Sequence, residues 1–121
     1  MVLGIGTDIV DVKRMEKAIL NQTFLNKAFT ESERERIKKA ETAAGIFAAK
    51  EAFVKALGTG FSGVRIKDIE IVKDELGKPY FVLYNRAKSF MDEKNAKAFL
   101  SISHEKEYAI AFVIIEGDGV K

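Results

Sequence analysis

The sequence predicts an α+β fold: a single compact domain spanning residues 1–121, with helices packed on a mainly antiparallel sheet. Helix-period segments fill the first half of the chain and strand-period segments the second, a segregation that separates α+β from alternating α/β chains. The one proline, Pro79, falls in a turn, and no Gly/Ser-rich linker or internal repeat divides the sequence. Hydrophobic residues make up 47% and charged residues 31%, a soluble balance at a length that buries a real but modest core.

Val2 to Val10 reads as a strand whose Thr7-Asp8 lies toward its C-terminal end, with Gly4 and Gly6 permitting close backbone approach. Asp11 is placed to cap a helix running through Leu20. Thr30-Glu31-Ser32-Glu33 has capping-box spacing and starts another. An alanine-rich helix follows and ends near Leu57, at the Gly58-Thr59-Gly60 break. Ile69–Val72 and Tyr80–Tyr84 read as strands flanking a turn at Asp74–Pro79, and Asn85 as the cap of a helix reaching about Lys94. Ala98–Ser103 and Tyr108–Ile115 are strands joined by the tight His104–Glu107 connection. The last is apolar on both faces, so it belongs at the centre of a sheet or beneath another subunit.

Composition excludes several classes. There are no cysteines, which rules out disulfides and thiolate metal sites and suits a reducing, cytoplasmic interior. The N-terminal residues lack the pattern of a signal peptide, and no apolar run is long enough to span a bilayer. A net charge of +2 makes no case for nucleic acid. Lys13, Arg14, Lys17 and Lys27 cluster near the start, which fits an acidic partner or a solvated helix face.

The chemistry-bearing residues stand at element ends. On the helix that contains residues 46–57, Ile46, Ala49, Phe53, Ala56 and Leu57 fill one side, and Phe47, Ala48, Ala52 and Val54 spread apolar character over most of the rest. Glu51 and Lys55 form a narrow charged stripe between them. A helix apolar nearly all round is buried, so this stripe faces a cleft or is a plain i,i+4 ion pair. Asp8 and Glu51, two carboxylates from separate elements, suit magnesium, which takes few protein carboxylates and completes its shell with water and phosphate oxygens. Lys55 and the Gly58-Thr59-Gly60 turn suit a phosphorylated ligand, although the turn also reads as a simple helix stop. Gly4-x-Gly6 lacks the third glycine and following helix of a dinucleotide motif. Ser103 and His104 are neighbours on a strand and point to opposite faces, which excludes a serine-hydrolase pairing.

Gly4-Ile5-Gly6-Thr7-Asp8-Ile9-Val10, then Phe47-Ala48-Ala49-Lys50-Glu51-Ala52 with Lys55-Ala56-Leu57-Gly58-Thr59-Gly60, and finally Ser101-Ile102-Ser103-His104 before Tyr108-Ala109 together resemble the holo-acyl-carrier-protein synthases. These are small bacterial 4′-phosphopantetheinyl transferases, and the likeness runs in order over nearly the whole chain, through Asp68-Ile69-Glu70 and Gly77-Lys78-Pro79. The resemblance implies a phosphopantetheinyl transferase-like fold assembled as a homotrimer with active sites at subunit boundaries. It implies transfer of phosphopantetheine from coenzyme A to a serine of acyl carrier protein in fatty-acid biosynthesis, releasing adenosine 3′,5′-bisphosphate. Asp8 and Glu51 would hold Mg2+, and Lys55 would serve the departing phosphate. Lys55, Gly58, Thr59, Gly60, Ser103 and His104 would hold the coenzyme, with Glu105 a further metal ligand through water. Lys13, Arg14 and Lys17 would meet the acidic carrier. Three positions depart from the family pattern: Ile46 where arginine is common, Thr23 before Phe24 where a basic residue is usual, and Lys27 where arginine is frequent. The rivals are another magnesium-dependent nucleotide-processing enzyme and a catalytically silent coenzyme A-binding module, the latter disfavoured because both carboxylates are present.

Overall fold

Alanine at 43, 44, 48, 49, 52 and 56 lets one helix meet a sheet almost at backbone distance, and the other elements are arranged around that contact. The computed structural model describes residues 1–58 and 63–118. In order these form β1 (Val2–Asp11), α1 (Val12–Ala18), α2 (Gln22–Ala28), α3 (Glu31–Arg36) and α4 (Ala40–Leu57). A short 3-10 turn at Ile66–Asp68 leads to β2 (Ile69–Lys73), β3 (Pro79–Leu83), α5 (Asn85–Glu93), β4 (Lys97–His104) and β5 (Tyr108–Glu116). The class is α+β, and every strand pair is antiparallel. The pairing is divided between two sheets, β1-β5-β4 and β2-β3.

Local chemistry sets the helix starts. The Asp11 carboxylate accepts from the Arg14 amide at 3.2 Å. The Thr30 hydroxyl accepts from the Glu33 amide at 3.2 Å, while the Glu33 carboxylate accepts from the Thr30 amide at 2.9 Å, a complete capping box. Two expectations are corrected. The first helix stops at Ala18 rather than Leu20, closed by amide bonds from Ile19 to Met15 and from Leu20 to Lys17. Asn85 does not cap α5: Tyr84 holds that place, and Asn85 stands inside the first turn at φ +50°, its amide donating to Asp68 Oδ1 at 3.0 Å. Helix α4 ends at Gly58, whose φ of +76° is the left-handed conformation a glycine cap adopts without strain.

The core lies between α4 and the inner face of β1-β5-β4. Ala109, Ala111, Val113 and Ile115 of β5 point into it, with Phe29, Ala52, Phe53, Ile69 and Ile71 also buried. Contact with β1 is closer still. A Cβ at Gly4 would collide with the Ala56 carbonyl oxygen, and one at Gly6 with that of Ala52.

Strand β5 is central, as its two apolar faces suggest, and its outward face is bare in the single chain. Ile9 (61% exposed), Phe99 (50%) and Phe112 (43%) stand on that face with Ile5, Tyr108 and Ile110, one apolar patch across all three strands. No helix among the described residues is long and apolar enough to cross a membrane.

Candidate functional site

The close approach of β1 to α4 sets two carboxylates side by side. Gly4, Gly6 and Asp8 share the inner side of β1, so the strand that rests its glycines on Ala52 and Ala56 also presents Asp8 beside the Glu51–Lys55 stripe. Lys55 Nζ donates to Asp8 Oδ1 and to the Thr7 carbonyl oxygen, both at 3.0 Å. Asp8 and Glu51 border a cleft of about 460 Å3 walled by Ile9, Val10, Met15, Phe24 and Phe47, with Arg14 on its rim. The rings of Phe24 and Phe47 lie 5.6 Å apart, centroid to centroid, and make its apolar side.

Burial pushes the Glu51 carboxyl above the usual carboxylate range, the negative charge of Asp8 pushes it the same way, and Lys55 opposes both. Two acidic groups that repel each other in a partly covered cleft favour a cation beside them, and Lys55 supplies one positive charge to Asp8. Their donors are hard oxygens, and no group of three or more His, Cys, Asp or Glu side chains able to hold a metal occurs among the described residues. A two-carboxylate site fits magnesium, which leaves most of its shell to water and phosphate.

The other expected residues fall in three places. Arg14 reaches the cleft rim, and Lys13 and Lys17 stand exposed on the same short helix. Gly58 closes α4 one turn beyond Lys55, while Thr59 and Gly60 lie outside the described residues. Ser103 and His104 are not brought to Asp8 within one chain. Ser103 pairs with Ile110 on the outward, apolar side of the sheet. His104 lines a second cleft of about 300 Å3 with Arg36, Glu41, Thr42, Gly45 and Ile46. Phe47 and Glu51 lie on one flank of α4 and Thr42, Gly45 and Ile46 on the other, so the helix stands between the two clefts.

One charged pair beside the site is not anticipated by the sequence reading. Lys50, the residue before Glu51, is wholly buried, and its ammonium donates to Glu33 Oε1 at 2.6 Å and to the Ala28 carbonyl at 2.8 Å. Glu33 also accepts from the Thr30 amide and, at 2.8 Å, from the Ile71 amide. One carboxylate thus ties α3, β2 and α4 together. Burial pulls the Lys50 pKa below its ordinary value, against the opposing attraction of Glu33. The capping box was the available signal: a Glu33 used by its own helix start is also fixed in space for a deeper partner. Phe24, on a helix the periodicity does not reveal, is the other unanticipated element of the cleft.

Residues 4–113 match the family model of the 4′-phosphopantetheinyl transferase superfamily. A holo-[acyl-carrier-protein] synthase of Clostridium botulinum is 49% identical over 121 residues, covering 96% of this chain and 98% of the relative. Among solved structures, a holo-(acyl-carrier-protein) synthase from Bacillus anthracis in complex with CoA (3′,5′-ADP) is 38% identical with a TM-score of 0.81, over 98% of this chain and 99% of that one. The holo-[acyl-carrier-protein] synthase of Helicobacter pylori in complex with coenzyme A is 36% identical with a TM-score of 0.83, over 93% and 99%.

Proposed function

The chain is an enzyme of the holo-[acyl-carrier-protein] synthase family, and from that membership we propose that it moves the 4′-phosphopantetheine group from coenzyme A to a serine hydroxyl of acyl carrier protein. The observation that carries this for the chain's own residues is that Asp8 and Glu51 border one cleft while Lys55 donates to Asp8 Oδ1 at 3.0 Å. In the reaction the serine oxygen bonds to the pantetheine-bearing phosphorus. The bond from that phosphorus to the bridging oxygen breaks, adenosine 3′,5′-bisphosphate leaves, and the serine proton passes to a site carboxylate or water. Asp8 and Glu51 would hold Mg2+, and the ion would supply positive charge to offset that of the diphosphate. Lys55 supplies a positive charge to the departing phosphate, where negative charge grows in the transition state. Gly58, which closes α4 beyond Lys55, borders the coenzyme. Incubated with coenzyme A, Mg2+ and apo carrier, the enzyme adds one phosphopantetheine mass to the carrier by intact-protein mass spectrometry. Cleavage of coenzyme A with no mass on the carrier would identify a nucleotide-processing enzyme instead.

The acidic carrier docks on Lys13, Arg14 and Lys17. Arg14 stands where the basic face meets the cleft, so it couples docking to delivery of the serine. Arg14→Glu is expected to raise KM for the carrier about tenfold or more at low salt, with KM for coenzyme A nearly unchanged and the defect shrinking as salt screens the face. Normal carrier kinetics at low ionic strength would move the docking face elsewhere.

The functional unit is a homotrimer that covers the outward face of β1-β5-β4. A patch containing Ile5, Ile9, Phe99, Ile110 and Phe112 is of the kind that marks an interface. Association also supplies what one chain lacks, because His104 and Ser103 of one subunit are free to meet the coenzyme held at another's Asp8–Glu51 cleft. Light scattering is expected to give three chain masses, and Ile110→Glu to give one chain mass with activity lost. A fully active single chain would end the trimer reading. Acyl carrier protein as acceptor assigns the reaction to fatty-acid biosynthesis, and the cysteine-free composition suits a cytoplasmic setting.

A further inference from the structure

Lys55 engages the oxygen that a metal ion at Asp8 would use. Its Nζ lies 3.0 Å from Asp8 Oδ1 and 3.0 Å from the Thr7 carbonyl oxygen, so two of its three N–H groups are committed to β1. The Asp8 side chain is only 18% exposed, whereas that of Lys55 is 55% exposed, so the lysine can swing away without repacking anything. An ammonium and a divalent cation on one carboxylate oxygen repel each other at contact distance, so occupancy by one opposes occupancy by the other. The lysine stem is long, flexible and ends in a compact point charge, the features of a cation that comes and goes.

We propose that Lys55 is the placeholder cation of the Asp8–Glu51 site: it neutralises Asp8 while no divalent ion is bound and yields that oxygen when one arrives. This rests on the reading of Asp8 and Glu51 as metal ligands. Lys55 then becomes available to the substrate phosphate only in the metal-loaded enzyme. The Thr7 carbonyl holds the ammonium near the cleft, so its release is a short swing across the site. The arrangement makes metal loading and arming of the lysine one event.

The test is the affinity of the purified, metal-stripped protein for Mn2+, read by electron paramagnetic resonance of the free ion, with Mn2+ alone as probe. Lys55→Met is expected to bind Mn2+ about three- to fivefold more tightly than the wild type, the upper end of what a largely exposed ion pair contributes. Lys97→Met makes the same charge change at an exposed position of β4 opposite Glu116, five positions along β5 from the residue that faces Asp8, and it is expected to leave the affinity unchanged. In the wild type, the Lys55 Nζ nitrogen resonance, assigned by its loss in Lys55→Met, is expected to shift as Mg2+ saturates. Equal or weaker Mn2+ binding by Lys55→Met, an equal gain in Lys97→Met, or a Lys55 resonance indifferent to Mg2+ would overturn the placeholder role. Where Asp8→Asn still loses Mn2+ in those cases, the metal reading stands. A wild type that binds no Mn2+, or an Asp8→Asn variant that binds it as tightly, would bring down both.

Discussion

Glu51→Gln is expected to give a folded protein whose kcat/KM for transfer is lower by at least about 10^3-fold, since metal-ion neutralisation of a phosphoryl centre is worth several kcal/mol and each 1.36 kcal/mol is tenfold in rate. The substitution preserves volume and removes the charge. The same change is expected to leave stability intact or raise it at pH 7. Burial and the neighbouring Asp8 push the Glu51 pKa up, so in the metal-free protein its ionised form is disfavoured in the folded state. Its contribution to stability is therefore full below the unfolded-state pKa and is lost as pH rises through the higher folded-state value. Glutamine mimics the neutral acid at every pH. A thermal melt at neutral pH should show Glu51→Gln at or above the wild-type midpoint, and the wild type should approach the variant as the pH is lowered toward 4. Near-normal turnover at saturating Mg2+ would refute the metal role. A variant that melts well below the wild type would show that Glu51 is held for structure.

The second large effect is on stability. Lys50→Met leaves the Glu33 carboxylate wholly buried without its cationic partner, although the Thr30 and Ile71 amides remain. Removing one member of a buried pair costs about 3–5 kcal/mol, a large share of the roughly 5–15 kcal/mol a domain possesses. The melting temperature should fall by roughly 10–20 °C. The double variant Lys50→Met/Glu33→Gln should recover much of the loss, because the stranded charge is gone. A single-variant midpoint within a degree or two of wild type would show that water reaches Glu33 and the pair is not sealed.

What is legible in the sequence is what a few neighbouring residues decide. Asp11 and the Thr30–Glu33 box bond to amides three positions away, and Gly58 ends α4 by its own backbone preference, so each can be read without knowing the fold. Glu51 and Lys55 can be picked out because charge on a nearly all-apolar helix calls for a partner, and Asp8, read as a carboxylate near the end of the first strand, is the partner Lys55 finds. Lys50 escapes the same logic because its partner, Glu33, is decided by tertiary packing, and a lysine beside glutamate on a helix looks like any solvated pair. Helix α2 has seven residues, too few to show a period, and is held by Asn21 accepting from the Phe24 amide. Asn85 has the composition of a cap, yet Asp68 claims its amide. His104 reads as the first residue of the hairpin connection, whereas β4 runs through it, and which flank of α4 it occupies follows only from the pairing of β4 with β5.

The position of β5 between β1 and β4 has a consequence for the order in which the protein comes into being. Asp8 faces Ala111 across the β1–β5 ladder, about a hundred residues later in the chain. At a synthesis rate of roughly 5–20 residues per second, β1 waits on the order of 5–20 s for the strand that completes it. During that interval Gly4 to Val10 is an unpaired edge with alternate apolar side chains, a segment open to wrong pairings. Non-local closure of this kind is also slow once the chain is free. The ladder that backs Asp8 is therefore completed only when the central strand inserts, so the sheet behind the proposed site is the last part of the fold to close.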